Sequence, residues 1–401
     1  YLCELPSGRA VNVFFYNGAL SQAVAFEGLV RDGETFWRRI EDAARPGLLA
    51  LATDGETYGH HFPFGEMGLA YVLAQARDGR SGIEFCNFAA WLDRHPTTRR
   101  VRLRENSSWS CEHGVERWRA DCGCSSGGHP GWNQQWRAPL RQGLDAVKRA
   151  MDEHYDDKAA SIFKKPTRAL VDYGRVLAGL VDHAAFEAEH CLEDATDARR
   201  RTGWRLLAMQ QWALASFASC AWFFDDLGRL EPLNAMTYAL RAMELSRRTG
   251  GPDLEPVFLE HVGEARSNDP ALCTGADLWE NEILPRRESP ESLIAQALFT
   301  LWARGAAAGD QGGAAWPGVA VDVEVDKSAQ GVALNGKARI RWTHEPGGEA
   351  RRRVWRWTWR KSPDADPLNG RIEVTDEDGN AAECVPGQRL PWSKRQALAV
   401  E

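Results

Sequence analysis

Between residues 140 and 303 apolar side chains recur at helical spacing, and from Val319 onward the spacing changes to two. A period of 3.6 makes an apolar stripe on a helix, whereas a period of two makes an apolar face on a strand. One core of uniform type cannot serve both, so the chain must divide. The amphipathic stretches 140–155, 170–189, 204–224 and 233–247, with weaker ones at 254–265 and 291–303, predict a helical bundle over 135–304. A Gly/Ala-rich linker is expected at 305–318 and a small β-rich domain at 319–401. Its strands are expected at 319–325, 332–343, 354–361 and 372–375, with turns at Asn335-Gly336, Asn369-Gly370 and Asp378-Gly379. Trp355, Trp357 and Trp359 alternate with Arg356, Thr358 and Arg360. That all-Trp face is either a carbohydrate platform or, more simply, a face packed into a core.

Residues 1–104 alternate short β-like runs with helical ones. Val11–Tyr16 is β-branched and aromatic, 20–40 is helical with a break at Asp32-Gly33, and 47–52 is wholly apolar, like a strand buried on both faces. Helical spacing returns at 64–76 and 87–93, and 99–104 reads as a strand. Strand–helix–strand–helix order favours a parallel sheet with covering helices. Residues 105–134 are rich in Ser, Gly, Cys, His and Trp without periodicity, and a loop of that length in a compact region is usually functional or disordered.

Charge and composition narrow the function. With 49 Lys+Arg against 56 Asp+Glu the net charge is -7, so the basic footprint of a dedicated nucleic-acid binder is missing. No apolar run approaches the roughly 20 residues that span a bilayer. Nine scattered cysteines form no dense framework, which points to a reducing, cytoplasmic setting. The first residue is not Met and no leader follows, so the chain is expected to be an internal piece of a longer protein. Seventeen Trp are far more than an ordinary chain carries, and a flat apolar ring with one N–H donor suits sugar rings as well as cores.

Thr53-Asp54-Gly55-Glu56-Thr57-Tyr58-Gly59-His60-His61 places two carboxylates, two imidazoles and an aromatic ring after the apolar run 47–52. Ligands of parallel α/β folds bind at the carboxyl ends of strands, which makes this segment a candidate site. The competing reading is a turn, because Asp-Gly is a strong turn dipeptide.

A strand ending in Asp-Gly-Glu-x-aromatic-Gly resembles the fourth motif of family 57 glycoside hydrolases, which act on α-glucans. With Glu105-Asn106-Ser107-Ser108-Trp109-Ser110-Cys111-Glu112-His113-Gly114 and Phe217-Ala218-Ser219-Cys220-Ala221-Trp222-Phe223-Phe224-Asp225-Asp226, the chain is similar to an uncharacterised subgroup of that family over residues 1–304. The resemblance implies α/β plus all-α architecture: the C-terminal part of an incomplete (β/α) barrel over 1–134, then the helical bundle, then the small β-rich region. It also implies a retaining hydrolase or transglycosylase with Asp54 as general acid/base. Glu56, His60, His61, Glu105, Trp109, Trp222 and Asp225 would contact an oligo- or polysaccharide. The family's nucleophile is a Glu on an earlier strand, preceded by a His-Gln-Pro type motif, and neither occurs here. Retention needs two carboxyl groups about 5–5.5 Å apart. The partner group is therefore expected on an N-terminal part of the same protein. The alternative is a non-catalytic carbohydrate-binding or zinc-stabilised interaction protein on the same scaffold.

No cofactor is required by that chemistry. Cys111, His113, Cys122 and Cys124 are nevertheless adequate tetrahedral ligands for a structural zinc, although Cys-x-His and Cys-x-Cys depart from the usual knuckle spacing. Buried thiols or a loop disulfide are the other readings.

Overall fold

In a computed structural model the described residues are 1–287, 289–302, 311–316, 319–326, 333–342, 351–360, 362 and 369–385. They form a mixed α/β structure of helices and two sheets, with no closed barrel among the described residues. The chain separates into two compact units, Tyr1–Glu105 and Asn106–Glu401. The boundary thus falls before the Cys/His loop, where the periodicity had suggested residue 134.

In the first unit β1 (Leu2–Glu4) pairs antiparallel with β2 (Ala10–Asn12) and parallel with β3 (Arg100–Val101). Helices α1 (Gly18–Phe26), α2 (Gly33–Ala43), α3 (Gly65–Arg77) and α4 (Phe88–Arg94) supply most of the remainder. Three of their starts are written in the sequence: Asn17, Asp32 and Asn87 each accept a hydrogen bond from the backbone N–H three residues on. The core gathers Ala23, Val24, Val30, Phe36, Trp37, Ile40 and Val72. The apolar run 47–52 is not a strand: Ala50 is buried, but Leu48 and Ala52 are exposed. A strand buried on both faces needs a ladder, and the unit's one described sheet ends at β2 and β3. The expected parallel sheet is likewise reduced to a single parallel pair.

Two predictions arise from this packing. A Cβ on Gly68 would lie 2.1 Å from the Val30 carbonyl oxygen, whereas one on Gly174 would meet nothing within 4 Å. Gly68→Ala should therefore destabilise by about 1–3 kcal/mol. Gly174→Ala, at an exposed helical position, should stabilise by about 0.5–1 kcal/mol. Urea unfolding of the two variants measures both signs. Second, Arg80 grips Glu34 with two hydrogen bonds of 2.7 and 2.8 Å, and the Tyr71 hydroxyl donates to the same carboxylate. These bonds, Arg80 first, hold the Glu34 carboxyl near about 2. A depressed carboxylate stabilises the fold above its unfolded value, and that contribution is lost as pH falls toward 2. Glu34→Gln should flatten the fall in Tm across the acid range, and an unchanged acid limb would contradict the assignment.

The second unit opens with the loop from Asn106. Helices α5 (Arg137–Ala159), α6 (Pro166–Leu177), α7 (His183–His190), α8 (Asp197–Ala215), α9 (Leu230–Arg248), α10 (Glu255–Val262) and the short α11 (Gly275–Leu278) follow. Their apolar faces share one core that includes Leu140, Leu144, Met151, Leu207, Met209, Met236, Leu240 and Phe258. The stretch expected as one helix at 170–189 is two, broken where Gly179 takes a positive φ of 69°. The helix expected to reach residue 224 stops at Ala215, where the Ser216 hydroxyl donates back to the Ala213 carbonyl.

Helix α12 (Pro290–Trp302) does not join that core. It covers a six-stranded antiparallel sheet of β4 (Gln311–Trp316), β5 (Val319–Val325), β6 (Ala333–Trp342), β7 (Arg351–Arg360), β8 (Arg371–Asp376) and β9 (Ala381–Cys384), ordered as in the chain. Leu293, Ile294 and Ala297 pack with buried Trp355, Trp357 and Trp359, so the Trp face is a core and offers no sugar platform. Part of the expected linker, Gln311–Trp316, is strand; 305–310 and 317–318 lie outside the described residues. Asn335-Gly336 sits inside β6, because Gly336 pairs with Val325 and Trp357 in the ladder.

Candidate metal centre and the Asp54 segment

Cys111, His113, Cys122 and Cys124 converge, with their ligand atoms all within 4.8 Å of one another. Cys111 Sγ lies 3.9 Å from Cys122 Sγ and 3.8 Å from Cys124 Sγ, and Cys124 Sγ lies 3.6 Å from His113 Nδ1. A tetrahedron with metal–sulfur bonds of about 2.3 Å and metal–nitrogen bonds of about 2.0–2.1 Å has edges of about 3.8 Å between sulfurs and about 3.6 Å from sulfur to nitrogen. The donor set therefore fits a tetrahedral ion. The sulfurs are much too far apart for a disulfide, whose S–S length is about 2.05 Å, and all nine cysteines are free. Burial opposes ionisation of Cys111, yet backbone hydrogen bonds from Arg117 and His113, with those from Cys124 and Cys122, outweigh it and bring the thiol down to about 7. Burial pushes the Cys122 thiol up.

Two arginines tie this loop to the segment after α8. Arg117 donates to the carbonyls of Ser110 (3.0 Å) and Phe223 (2.7 Å) and lies over the Phe223 ring. Arg137, wholly buried, donates to Cys124 (2.9 Å) and Phe224 (3.3 Å). Both Asp225 carboxylate oxygens accept from Ser126, one from its N–H at 2.7 Å and one from its hydroxyl. Asp226 accepts from Gly228, Ser267 and Asn268. Trp222 is 1% exposed and donates to the Arg137 carbonyl. Two of the seven residues expected to touch sugar, Trp222 and Asp225, are thus engaged within the protein: one has no free face and the other has both carboxylate oxygens bonded. Sequence reading missed the arginine clamps because their partners Phe223 and Phe224 lie 106 and 87 residues away. The only local signal was an Arg inside an apolar, cysteine-rich loop. Trp109 differs from Trp222: it is 70% exposed, its ring 6.1 Å from that of Phe223.

Asp54, Glu56, His60, His61 and Glu105 belong to the first unit and are all exposed, whereas Trp109, Trp222, Asp225 and the Cys/His set belong to the second. The Asp54 segment is a 3-10 turn, Gly55–Thr57, anchored by buried Thr57 and by a 3.0 Å contact between the Thr53 and Tyr58 hydroxyls. His60 and His61 both donate their backbone N–H to the Glu56 carbonyl, and the His61 ring lies 3.5 Å from the Glu56 carboxylate. Asp54 occupies the position that caps this turn, but its side chain makes no capping bond. Neither of two surface cavities in this unit, one lined by Arg45, Leu48 and Trp91 and the other by Phe14, Leu48 and Pro96, includes Asp54. A second acidic group, Asp172, Glu189 and His190, also lies within ligand distance, but Arg168 donates to Asp172 at 2.6 Å and makes it an ion pair.

Fold and site define a mixed α/β protein whose helical unit carries a Cys3His cluster able to hold a metal. The chain belongs to the family described as a domain of unknown function (DUF3536), whose model matches residues 132–344, just over half of the chain. No curated protein and no solved structure matches it. Among the described residues no helix is long and apolar enough to cross a membrane.

Proposed function

We propose that this chain is the C-terminal part of a retaining glycoside hydrolase or transglycosylase of the family 57 type, acting on α-glucan-type polysaccharide with Asp54 as general acid/base. The observation that carries the reading is the uncommitted Asp54 carboxylate. It sits where a purely structural Asp would cap the turn, yet it is left without a capping bond beside Glu56, His60 and His61. Exposure is the wrong environment for a general acid, which needs burial or a neighbouring carboxylate to stay protonated. In this proposal the nucleophile and the cover come from an N-terminal part of the same protein. Val11, Phe15, Tyr16, Leu48, Phe85 and Phe88 are exposed on the same unit and would suit such a contact. The compartment is proposed to be cytoplasmic, in keeping with nine free thiols. The test is Asp54→Asn in the full-length protein assayed on α-glucans; unchanged turnover removes the reading.

The Cys/His cluster is proposed to hold a structural zinc, since four protein ligands leave no open position for chemistry. A second reading, a non-catalytic carbohydrate-binding protein on the same scaffold, is favoured by exposed Trp109. A Glu within covalent reach of the sugar on the upstream strand selects the enzyme, and its absence there selects binding.

A further inference from the structure

The sheet of the second unit has one face under α12 and another open to solvent. On the open face β6 presents Lys337, Arg339 and Arg341, and β7 presents Arg352, Arg356 and, at its end, Arg360. The register sets Lys337 opposite Arg356, Arg341 opposite Arg352 and, across to β8, Arg360 opposite Arg371. Like charges directly opposite each other destabilise a sheet. On the β5 side the register sets Glu324 opposite Lys337 and Asp322 opposite Arg339, so Arg352, Arg356 and Arg360 of β7 are the cations left, among the described residues, with no acid opposite them. Arg341 lies 3.9 Å from Asp322 and Arg371 pairs with Glu383. Among the described residues Lys337, Arg339, Arg352, Arg356 and Arg360 have no ion-pair partner. All this stands in a chain of net charge -7.

We propose that this stripe binds a linear acidic polysaccharide, one bearing about one anionic group per sugar ring. Its shape selects the partner. Asp322 and Glu324 on β5 flank it on one side, and Glu373 on β8 with Glu383 on β9 flank it on the other. The basic zone is therefore about two strands, or about 10 Å, wide. A flat anionic bilayer would press on the flanking carboxylates, whereas a single polymer strand avoids them. Cations repeat at about 6.8 Å along β6 and about 13.6 Å along β7, regular spacings that suit evenly placed charges on a chain. Single-stranded nucleic acid is disfavoured because binding it relies on aromatic platforms, and every Trp of β7 points to the buried face. Duplexes carry a far denser charge, which the flanking carboxylates repel more strongly. The surface belongs to the second unit and Asp54 to the first, and the proposal does not depend on the reading of that residue.

The experiment measures binding of the full chain to fluorescent polygalacturonate at low salt, with neutral dextran and a deoxythymidine oligonucleotide alongside. Binding to polygalacturonate should weaken steadily with salt, and dextran should not bind. The triple variant Lys337→Gln, Arg339→Gln, Arg356→Gln should lose at least about tenfold in affinity and show a shallower salt dependence. Arg356→Gln alone, which relieves the like-charge pair with Lys337 and removes no opposed acid, should leave Tm level or raise it. Glu373→Gln should strengthen binding, and Asp54→Asn should leave it unchanged. Equal affinity of parent and triple variant overturns the proposal, as does tighter binding to the oligonucleotide than to polygalacturonate.

Discussion

Asp54→Asn should lower kcat/KM on α-glucans by about 10²–10⁴-fold, the usual contribution of a positioned general acid/base. The amide keeps the shape but has no acidic proton to pass to a departing glycosidic oxygen. Asp54 is exposed and makes no capping bond, so the substitution should shift stability by no more than about 0.5 kcal/mol. Loss of rate without loss of fold is the signature to look for. A second substrate separates chemistry from binding. An aryl glycoside with an acidic phenol leaves without a proton, so its kcat/KM should fall much less than that of a natural glucan. An equal loss on both substrates would make Asp54 a binding residue. The alkaline limb of the pH–rate profile, where a general acid is lost by deprotonation, should be a property of the full-length protein with substrate.

The parts of the fold that were legible depend on local pattern. The helix starts at Asn17, Asp32 and Asn87 follow from capping chemistry, and β5 follows from the alternation of Val with Ala320, Asp322 and Glu324. The Trp strand was readable as a buried face, but not the identity of its cover, since α12 carries the same helical period as the bundle helices before it. Residues 47–52 misled because apolar character reports burial, whereas a strand also needs a neighbour to complete its ladder. At the site, Cys111, His113, Cys122 and Cys124 were found by residue type alone, although their spacing is irregular. Trp222 and Asp225 misled in the opposite way. Their residue types suit sugar, but Arg137 and Ser126, distant in sequence, had already engaged them. Polar residues in an apolar segment reveal that a partner exists without revealing whether it is a ligand or the protein.

Purified protein should contain one zinc per chain, and removing it should loosen the second unit by at least about 4 kcal/mol. A ligand present at a thousandfold over its Kd stabilises the folded state by about 4.1 kcal/mol, and structural zinc commonly exceeds that ratio. The effect should be local before it is global. The cluster fixes Cys111 and Cys124, Arg117 and Arg137 carry that order to Phe223 and Phe224, and Ser126 carries it to Asp225. Hydrogen exchange after chelation should therefore rise first in the loop from Asn106 and in residues 223–226. Cys111→Ser or His113→Ala should reproduce the chelated state, whereas Cys220→Ser and Cys273→Ser, at exposed thiols outside the cluster, should not. Thiolates are the ligating form, so metal-dependent stability is present above the Cys111 value of about 7 and declines as protons compete below it. Metal-free protein with nine titratable thiols and an unchanged Tm in chelator would reduce the cluster to buried thiols. Seven thiols would instead reveal a disulfide, which would require the sulfurs to approach from 3.8 Å to about 2.05 Å.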